Sequence, residues 1–109
     1  MADYNNSELL ICTAARQMED GAICFIGTGI PMLAAALAKR THAPKLVAAF
    51  EFGGVGPSLD DLPLAVGGSR TFHRAPVASS ICDLVEAAAR GHVEYGFLGG
   101  AQIDMYGNL

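Results

Sequence analysis

Three short apolar runs punctuate this chain, and each is followed at once by glycine or a charged residue. They are Ala22–Ile26, Leu46–Phe50 and Tyr95–Leu98. Runs of four to five residues that end in this way are typical of strands buried inside a sheet. The pattern therefore predicts three buried strands, with Phe52–Gly68 as a loop and a further extended piece at Thr71–Arg74.

The segments between these runs carry helix signals. Ser7 is predicted to cap a helix at Glu8–Met18, and Pro31 to begin a helix at Met32–Arg40. Ser79 or Ser80 is predicted to cap a third helix, which ends at Ala89. Strands that alternate with helices pair in parallel through right-handed crossovers. Residues 1–109 are thus expected to form a single α/β domain, with an open, mainly parallel sheet and flanking helices.

Composition limits the partners that such a domain can have. Hydrophobic residues make up 51% of the 109 residues and charged residues only 17%, which predicts that a protein partner covers some apolar surface. A net charge of −4 without basic runs argues against nucleic acid or an anionic membrane as the main ligand. No apolar stretch has membrane-spanning length and the start lacks signal-peptide order, so the chain is expected to be cytoplasmic.

The cysteines and histidines do not show the spacing of a metal or redox site. Cys12, Cys24 and Cys82 are widely separated among apolar neighbours, which predicts buried, reduced thiols. The three histidines do not form a ligand set by spacing. No metal site is therefore expected.

A lone carboxylate, Glu51, ends the second apolar run and precedes Phe52, Gly53 and Gly54. In open α/β sheets, ligands collect outside the carboxyl ends of the strands. A glutamate held there by rigid backbone can act as a base or a nucleophile. The simpler alternative is a charged residue that merely closes a strand.

Two more glycine-rich loops follow predicted strands. Gly27-Thr28-Gly29 precedes a helix, so its backbone amides and the helix dipole could bind an anion, although a tight turn without a ligand explains it equally well. Gly99 and Gly100 allow close approach of a ligand and Gln102 offers an amide, with close chain packing as the alternative. Lys39 and Arg40 are expected to face solvent or the C-terminus of a helix. The alternative is that they contact the phosphates of a cofactor.

Several motifs in order resemble the amino-terminal part of the β subunit of class I CoA-transferases. They are Gly27-Thr28-Gly29-Ile30-Pro31, Ala38–Pro44, Glu51-Phe52-Gly53, Leu62-Pro63, Val66-Gly67 and Leu98–Asn108. The resemblance spans nearly the whole chain, and within the family it is strongest to the glutaconate CoA-transferases. It implies that residues 1–109 belong to a longer β subunit.

The resemblance also implies a mechanism. Glu51 would attack the thioester of a donor acyl-CoA to form a mixed anhydride and expel the CoA thiolate, which then attacks the glutamyl carbonyl to give a glutamyl-CoA thioester. An incoming small carboxylic acid would reverse these steps and leave as the new acyl-CoA. Coenzyme A is then a substrate, and no permanently bound cofactor is implied. The implied substrate and CoA contacts are Gly27, Thr28, Gly29, Gly53, Gly54, Gly99, Gly100 and Gln102.

The family further implies an α subunit that supplies much of the acid-binding pocket, and hence a hetero-oligomer in which the chain alone is inactive. Phe52 departs from the small or polar residue that family members commonly have there, which leaves the acyl specificity open. Two alternatives stay open as well: an acyl-CoA hydrolase of the same fold, against which the presence of Glu51 counts, and a non-catalytic subunit.

Overall fold

A five-stranded sheet with three α-helices makes up the computed structural model, which describes residues 3–109. The elements are α1 (Asn6–Gln17), β1 (Ile23–Ile26), α2 (Ile30–Arg40), β2 (Val47–Phe50), β3 (Gly54–Val55), a 3₁₀ helix (Ser69–Phe72), β4 (Val77–Ala78), α3 (Ile81–Ala89) and β5 (Tyr95–Phe97). None of the helices in this part of the chain is long and apolar enough to cross a membrane.

The strand order is β4-β3-β2-β1-β5. The central strand β1 pairs in parallel with both β2 and β5. The two-residue strands β3 and β4 extend the sheet in antiparallel pairing beyond β2. The predicted fold class and the three predicted strands are confirmed, whereas β3 was placed within a loop and β4 was not predicted.

The two faces of the sheet are covered differently. On one face, α2 buries a series of alanines that includes Ala34, Ala35 and Ala38, together with Cys24 and Ile26 of β1. Small side chains let the helix backbone approach the sheet closely. On the other face, Phe25 of β1 and Val85 of α3 line an open groove of about 380 Å³. This second face is therefore only partly covered.

Helix α1 has its N-cap two residues earlier than the sequence suggested. Asn5, and not Ser7, is the N-cap: its Oδ1 accepts the backbone N–H of Glu8 at 2.9 Å, and Glu8 accepts the N–H of Asn5 at 2.8 Å. This reciprocal pair satisfies two N–H groups that the helix itself cannot satisfy, which favours Asn5 over Ser7. Helix α3 has the same arrangement between Ser80 and Asp83, so Ser80 is the N-cap of the two candidates, Ser79 and Ser80.

The prediction of an extended segment at Thr71–Arg74 is wrong. The chain forms a 3₁₀ helix at Ser69–Phe72 instead. The hydroxyl of Thr71 is buried and donates to the carbonyl of Gly68 at 2.7 Å. Such local side-chain hydrogen bonds stabilise turns at the expense of extended backbone.

The three cysteines are free thiols, but only one of them is buried. Cys24 lies in the core as predicted, whereas burial of Cys12 and Cys82 is wrong. In α1 the inward stripe runs through Ile11, Ala14 and Ala15, so Cys12 falls on the outward side. Apolar sequence neighbours alone did not reveal which side of the helix each cysteine occupies.

Thiol labelling should separate Cys24 from the other two cysteines. Burial, followed by the negative charge of Glu94, raises the pKa of the Cys24 thiol from 9.0 to about 11. The reactive thiolate is therefore about a hundredfold scarcer there, and the reagent is excluded as well. We expect peptide mapping of the native chain at pH 8 to find the label on Cys12 and Cys82 only. Labelling in denaturant is the control, and equal native labelling of Cys24 would contradict the described core.

Candidate functional site

Glu51 occupies the corner of a tight turn at the carboxyl end of β2. The turn runs from Phe50 to Gly53 and is closed by the N–H of Gly53, which donates to the carbonyl of Phe50 at 2.8 Å. Phe50 is fully buried, and Gly53 has a φ of +107°, which glycine adopts readily. Glu51 itself is half-buried, and within residues 3–109 its carboxylate has no hydrogen-bond or ion-pair partner. The carboxylate is therefore held by rigid backbone and remains open to a ligand.

Three parallel strands end at the same level beside Glu51. Ile26 of β1 is in register with Phe50 of β2 and with Phe97 of β5. The next residues, Gly27, Glu51 and Leu98, therefore form a row across the sheet edge. Neighbouring strands lie about 4.8 Å apart, so the backbones at Glu51 and Leu98 are separated by about 10 Å. The structure thus brings the three loops singled out in the sequence to one edge.

The middle loop joins β1 to α2. The N–H of Gly27 donates to the carbonyl of Phe97 at 2.8 Å, and a Cβ atom at Gly27 would lie 3.1 Å from that oxygen. Gly29 is the N-cap of α2 with a φ of +87°, and no side chain caps this helix. Thr28 is exposed between them. Gly27 therefore serves chain packing, while Thr28 and Gly29 stand open at a helix N-terminus, where negative charge is favoured.

Gly53 and Gly54 are required by close backbone contacts. A Cβ atom at Gly53 would lie 2.4 Å from the carbonyl of Ser79, and one at Gly54 would lie 2.0 Å from the carbonyl oxygen of Thr71. The N–H of Gly53 is already bonded to Phe50, as described above. The fold needs both glycines whether or not they contact a substrate.

Gly99 differs from these glycines. Its backbone does not have a positive φ, and a Cβ atom added there would meet nothing within 4 Å. Gly100 meets only the end of the Leu109 side chain at close range, and Gln102 is exposed. Packing within the described chain therefore gives no reason for glycine at position 99.

An apolar cavity of about 450 Å³ lies between the Gly99 loop and the start of α2. Its lining includes Leu10, Ile30, Pro31, Gly99 and Gly100, but not Gln102. Sequence reasoning missed Leu10 and Ile30, because apolar residues in helices give no signal that separates a cavity wall from the core. The cavity could hold an apolar part of a ligand.

Phe52, the residue after Glu51, is 49% exposed. Its ring covers Gly67, where an added Cβ atom would lie 3.4 Å from the ring. A large apolar surface therefore stands next to the carboxylate in sequence and is partly open to solvent. This placement is consistent with a wall that contacts bound molecules.

The remaining titratable groups near the row do not suggest a metal centre. Within the part of the chain that the structure describes, no group of three or more histidine, cysteine, aspartate or glutamate side chains could hold a metal ion. Asp104 instead organises a turn: hydrogen bonds from Asn108 and from the backbone hold the pKa of its carboxyl below the usual value. That turn follows the Gly99 loop and carries Met105 and Tyr106, both largely exposed.

Comparisons with known proteins relate this arrangement to enzymes. The chain is 34% identical to the β subunit of 3-oxoadipate CoA-transferase from Pseudomonas knackmussii, over its whole length and 42% of that protein. It is 33% identical to the β subunit of glutaconate CoA-transferase from Acidaminococcus fermentans, over its whole length and 44% of that protein. The chain thus spans less than half the length of these curated relatives.

Solved structures give the same relationship. The crystal structure of the glutaconate CoA-transferase from Acidaminococcus fermentans superposes with a TM-score of 0.83 at 31% identity, over 98% of this chain and 43% of that one. The decarboxylase AibA/AibB superposes with a TM-score of 0.82 at 30% identity, over 96% of this chain and 44% of that one. Residues 8–109 match the family described as Coenzyme A transferase, and the chain therefore belongs to that family, with relatives among the β subunits of its two-subunit enzymes.

Proposed function

We propose that this chain carries the nucleophile of a CoA-transferase β subunit, which moves CoA from an acyl-CoA to a free carboxylic acid. The observation that carries the proposal is the placement of Glu51 on a rigid turn, level with the loops that begin at Gly27 and Leu98. Family membership supports the reaction class. The role of Glu51 is supported by its position and by the absence of a competing partner for its carboxylate within residues 3–109.

The proposed reaction proceeds through covalent intermediates on Glu51. The carboxylate attacks the thioester carbonyl of the donor, which gives a mixed anhydride and releases the CoA thiolate. The thiolate then attacks the glutamyl carbonyl, which gives a glutamyl-CoA thioester and releases the donor acid as a carboxylate. The incoming carboxylate reverses the two steps and leaves as the new acyl-CoA. No net hydrolysis occurs, so the free energy of the thioester is retained.

Each attack creates an oxyanion that needs hydrogen-bond donors. The N–H of Gly53 is occupied by the Phe50 carbonyl, so it is a poor candidate. We propose that the exposed backbone N–H groups of Gly99 and Gly100 donate hydrogen bonds to the oxyanion. Thr28 and Gly29 on the neighbouring loop, and the side chain of Gln102, are further proposed donors. A single preorganised donor is typically worth about 3 kcal/mol of the barrier.

We propose that an α subunit completes the site, because the relatives are β subunits of two-subunit enzymes. The row at the sheet edge is open on the described chain, and Thr28, Gly99 and Gly100 are exposed. A site that must limit hydrolysis of an anhydride needs a cover that excludes water. The chain alone should therefore lack exchange activity, and full turnover without an α subunit would contradict this part of the proposal.

Trapping of the covalent intermediate tests the central claim. The full-length β subunit, co-expressed with its α partner, is incubated with a panel of acyl-CoA donors, and any enzyme thioester is then reduced with borohydride. We expect mass spectrometry to map the modification to Glu51, and the donors that produce it to indicate the substrate class. Steady release of free CoA with an unmodified Glu51 would favour a hydrolase. If no donor reacts at all, a non-catalytic subunit is favoured.

Substitution of Gly99 tests whether this loop contacts a ligand. A Cβ atom fits there without a clash, so Gly99→Ala should change the free energy of unfolding by no more than about 0.5 kcal/mol. If the backbone closely approaches the substrate, kcat/KM should fall by at least about tenfold. Urea unfolding and steady-state kinetics measure the two effects. Unchanged kinetics would remove Gly99 from the proposed site.

A further inference from the structure

Another cavity, of about 370 Å³, lies between the end of α2 and the loop that follows β3. Its charged lining residues are Lys39 and Arg40 at the end of α2, Arg74 after the 3₁₀ helix, and Asp60. Lys39 donates from Nζ to the carbonyl of Leu46, the residue just before β2 begins. Gly56, which also lines the cavity, donates its N–H to the carbonyl of Ala48 in β2. The cavity therefore lies beside the first half of β2, about 10–16 Å along the strand from Glu51.

This cavity concentrates positive charge in an acidic chain. The sequence has only seven lysine and arginine residues and a net charge of −4, yet three of the seven line this one cavity. With Asp60 counted, the lining carries a formal charge of +2. Over residues 3–109 the only ion pair joins Arg90 and Glu86, so none of the three cations is neutralised by a carboxylate there. Such a concentration attracts anions.

Two of these cations are held in place by backbone carbonyls. Lys39 donates to Leu46 at 2.8 Å, and Arg40 donates from Nη2 to the carbonyl of Asp60 at 3.0 Å. An ammonium group has three donors and a guanidinium group five, so most of their donors remain available. The two cationic groups are therefore held in position while most of their N–H donors stay free to bind an anion.

Arg74 adds a third cation from an unusual backbone conformation. Its φ of +54° makes it the only non-glycine residue with a positive φ among residues 3–109. A non-glycine residue in this region is uncommon, and such strain is found preferentially at functional positions. The side chain is exposed at the rim of the cavity. Arg74 thus brings a third cation to the same cavity as Lys39 and Arg40.

We propose that this cavity binds phosphate groups through Lys39, Arg40 and Arg74. Guanidinium groups match the geometry of phosphate oxygens and bind them through paired hydrogen bonds. At this separation a small carboxylic acid bound at Glu51 is too short to reach the cavity, whereas a long ligand with phosphates at its far end has the required length. The phosphates belong either to coenzyme A, in which case the inference rests on the proposed function, or to a separate phosphorylated molecule.

Calorimetric titration of the chain tests this site without any catalytic readout. The probes are inorganic pyrophosphate and adenosine 3′-phosphate 5′-diphosphate, and the variants are Arg74→Gln, Arg74→Lys and Arg16→Gln. We expect saturable binding of pyrophosphate that Arg74→Gln weakens by at least about tenfold, because a charge-assisted hydrogen bond is lost. Arg74→Lys should retain part of the affinity. Arg16, an exposed arginine of α1 that lines a different cavity, is the matched control and should have less than about a twofold effect.

The outcomes separate the two sources of phosphate. Tighter binding of the adenosine probe than of pyrophosphate, lost in Arg74→Gln, identifies coenzyme A as the source. Equal binding of both probes identifies a separate phosphorylated ligand. The absence of saturable binding to either probe, or an equal loss in Arg16→Gln, overturns the proposal. Because Glu51 takes no part in this measurement, failure here and failure of the proposed transferase reaction remain distinguishable.

Discussion

Replacement of Glu51 by glutamine is expected to abolish CoA exchange in the assembled enzyme while the fold stays intact. Glutamine has nearly the same size but lacks the negative charge and the nucleophilic oxygen that form the anhydride. Removal of a covalent nucleophile typically costs about four orders of magnitude or more in rate. We therefore expect kcat to fall at least about 10,000-fold, as measured by acyl-CoA exchange with each donor that labels the wild-type subunit.

The matched control for this variant is Asp61→Asn. Asp61 is an exposed carboxylate in the loop that follows β3, so its neutralisation removes the same charge without touching the row at the sheet edge. Exchange should change by less than about twofold, and the thermal unfolding temperatures of both variants should match the wild type. Substantial exchange by Glu51→Gln would show that Glu51 is structural and would favour another mechanism on this fold.

Replacement of Gly54 by alanine should give the largest loss of stability. The new Cβ atom would lie 2.0 Å from the carbonyl oxygen of Thr71 and 2.8 Å from its carbonyl carbon. These are backbone atoms, and Thr71 is fully buried and hydrogen-bonded, so the strand or the 3₁₀ helix must move. Overpacking of this kind costs typically about 1–3 kcal/mol, and we expect about 3 kcal/mol in urea unfolding followed by circular dichroism.

Gly96→Ala provides the comparison for that measurement. Gly96 also lies in a strand, but its φ is not positive and a Cβ atom there would meet nothing within 4 Å. Alanine should leave stability unchanged or raise it by about 0.5–1 kcal/mol, because glycine loses more backbone freedom on folding. A similar loss in both variants would point to a general weakness of the sheet and contradict the specific contact between Gly54 and Thr71.

The position of Glu51 could be predicted because it depends on local signals. A short apolar run followed by glycine predicted the end of β2, and two similar runs predicted the ends of β1 and β5. Parallel pairing then brings strand ends to one edge, whatever the details of the helices. The fold class and the location of the candidate site thus followed from the order of apolar runs and glycines.

Other features depend on contacts between distant parts of the chain and were missed. The strands β3 and β4 have two residues each, too few for an alternating pattern, and they exist because each pairs with a neighbour. The Thr71 segment looked extended because threonine favours strands, yet its hydroxyl bonds a nearby carbonyl. The exposure of Cys12 depends on which side of α1 packs against α2, and α1 lacks a strongly apolar stripe in its sequence.

The turn that carries Glu51 is tied mechanically to a helix on a different part of the chain. The carbonyl of Gly53 accepts two hydrogen bonds from Ser79, one from its N–H at 3.0 Å and one from its hydroxyl at 3.2 Å. Ser79 immediately precedes Ser80, the N-cap of α3. A shift of the N-terminal end of α3 would therefore be passed to this turn through two hydrogen bonds, so the position of the Glu51 backbone depends on how α3 is packed.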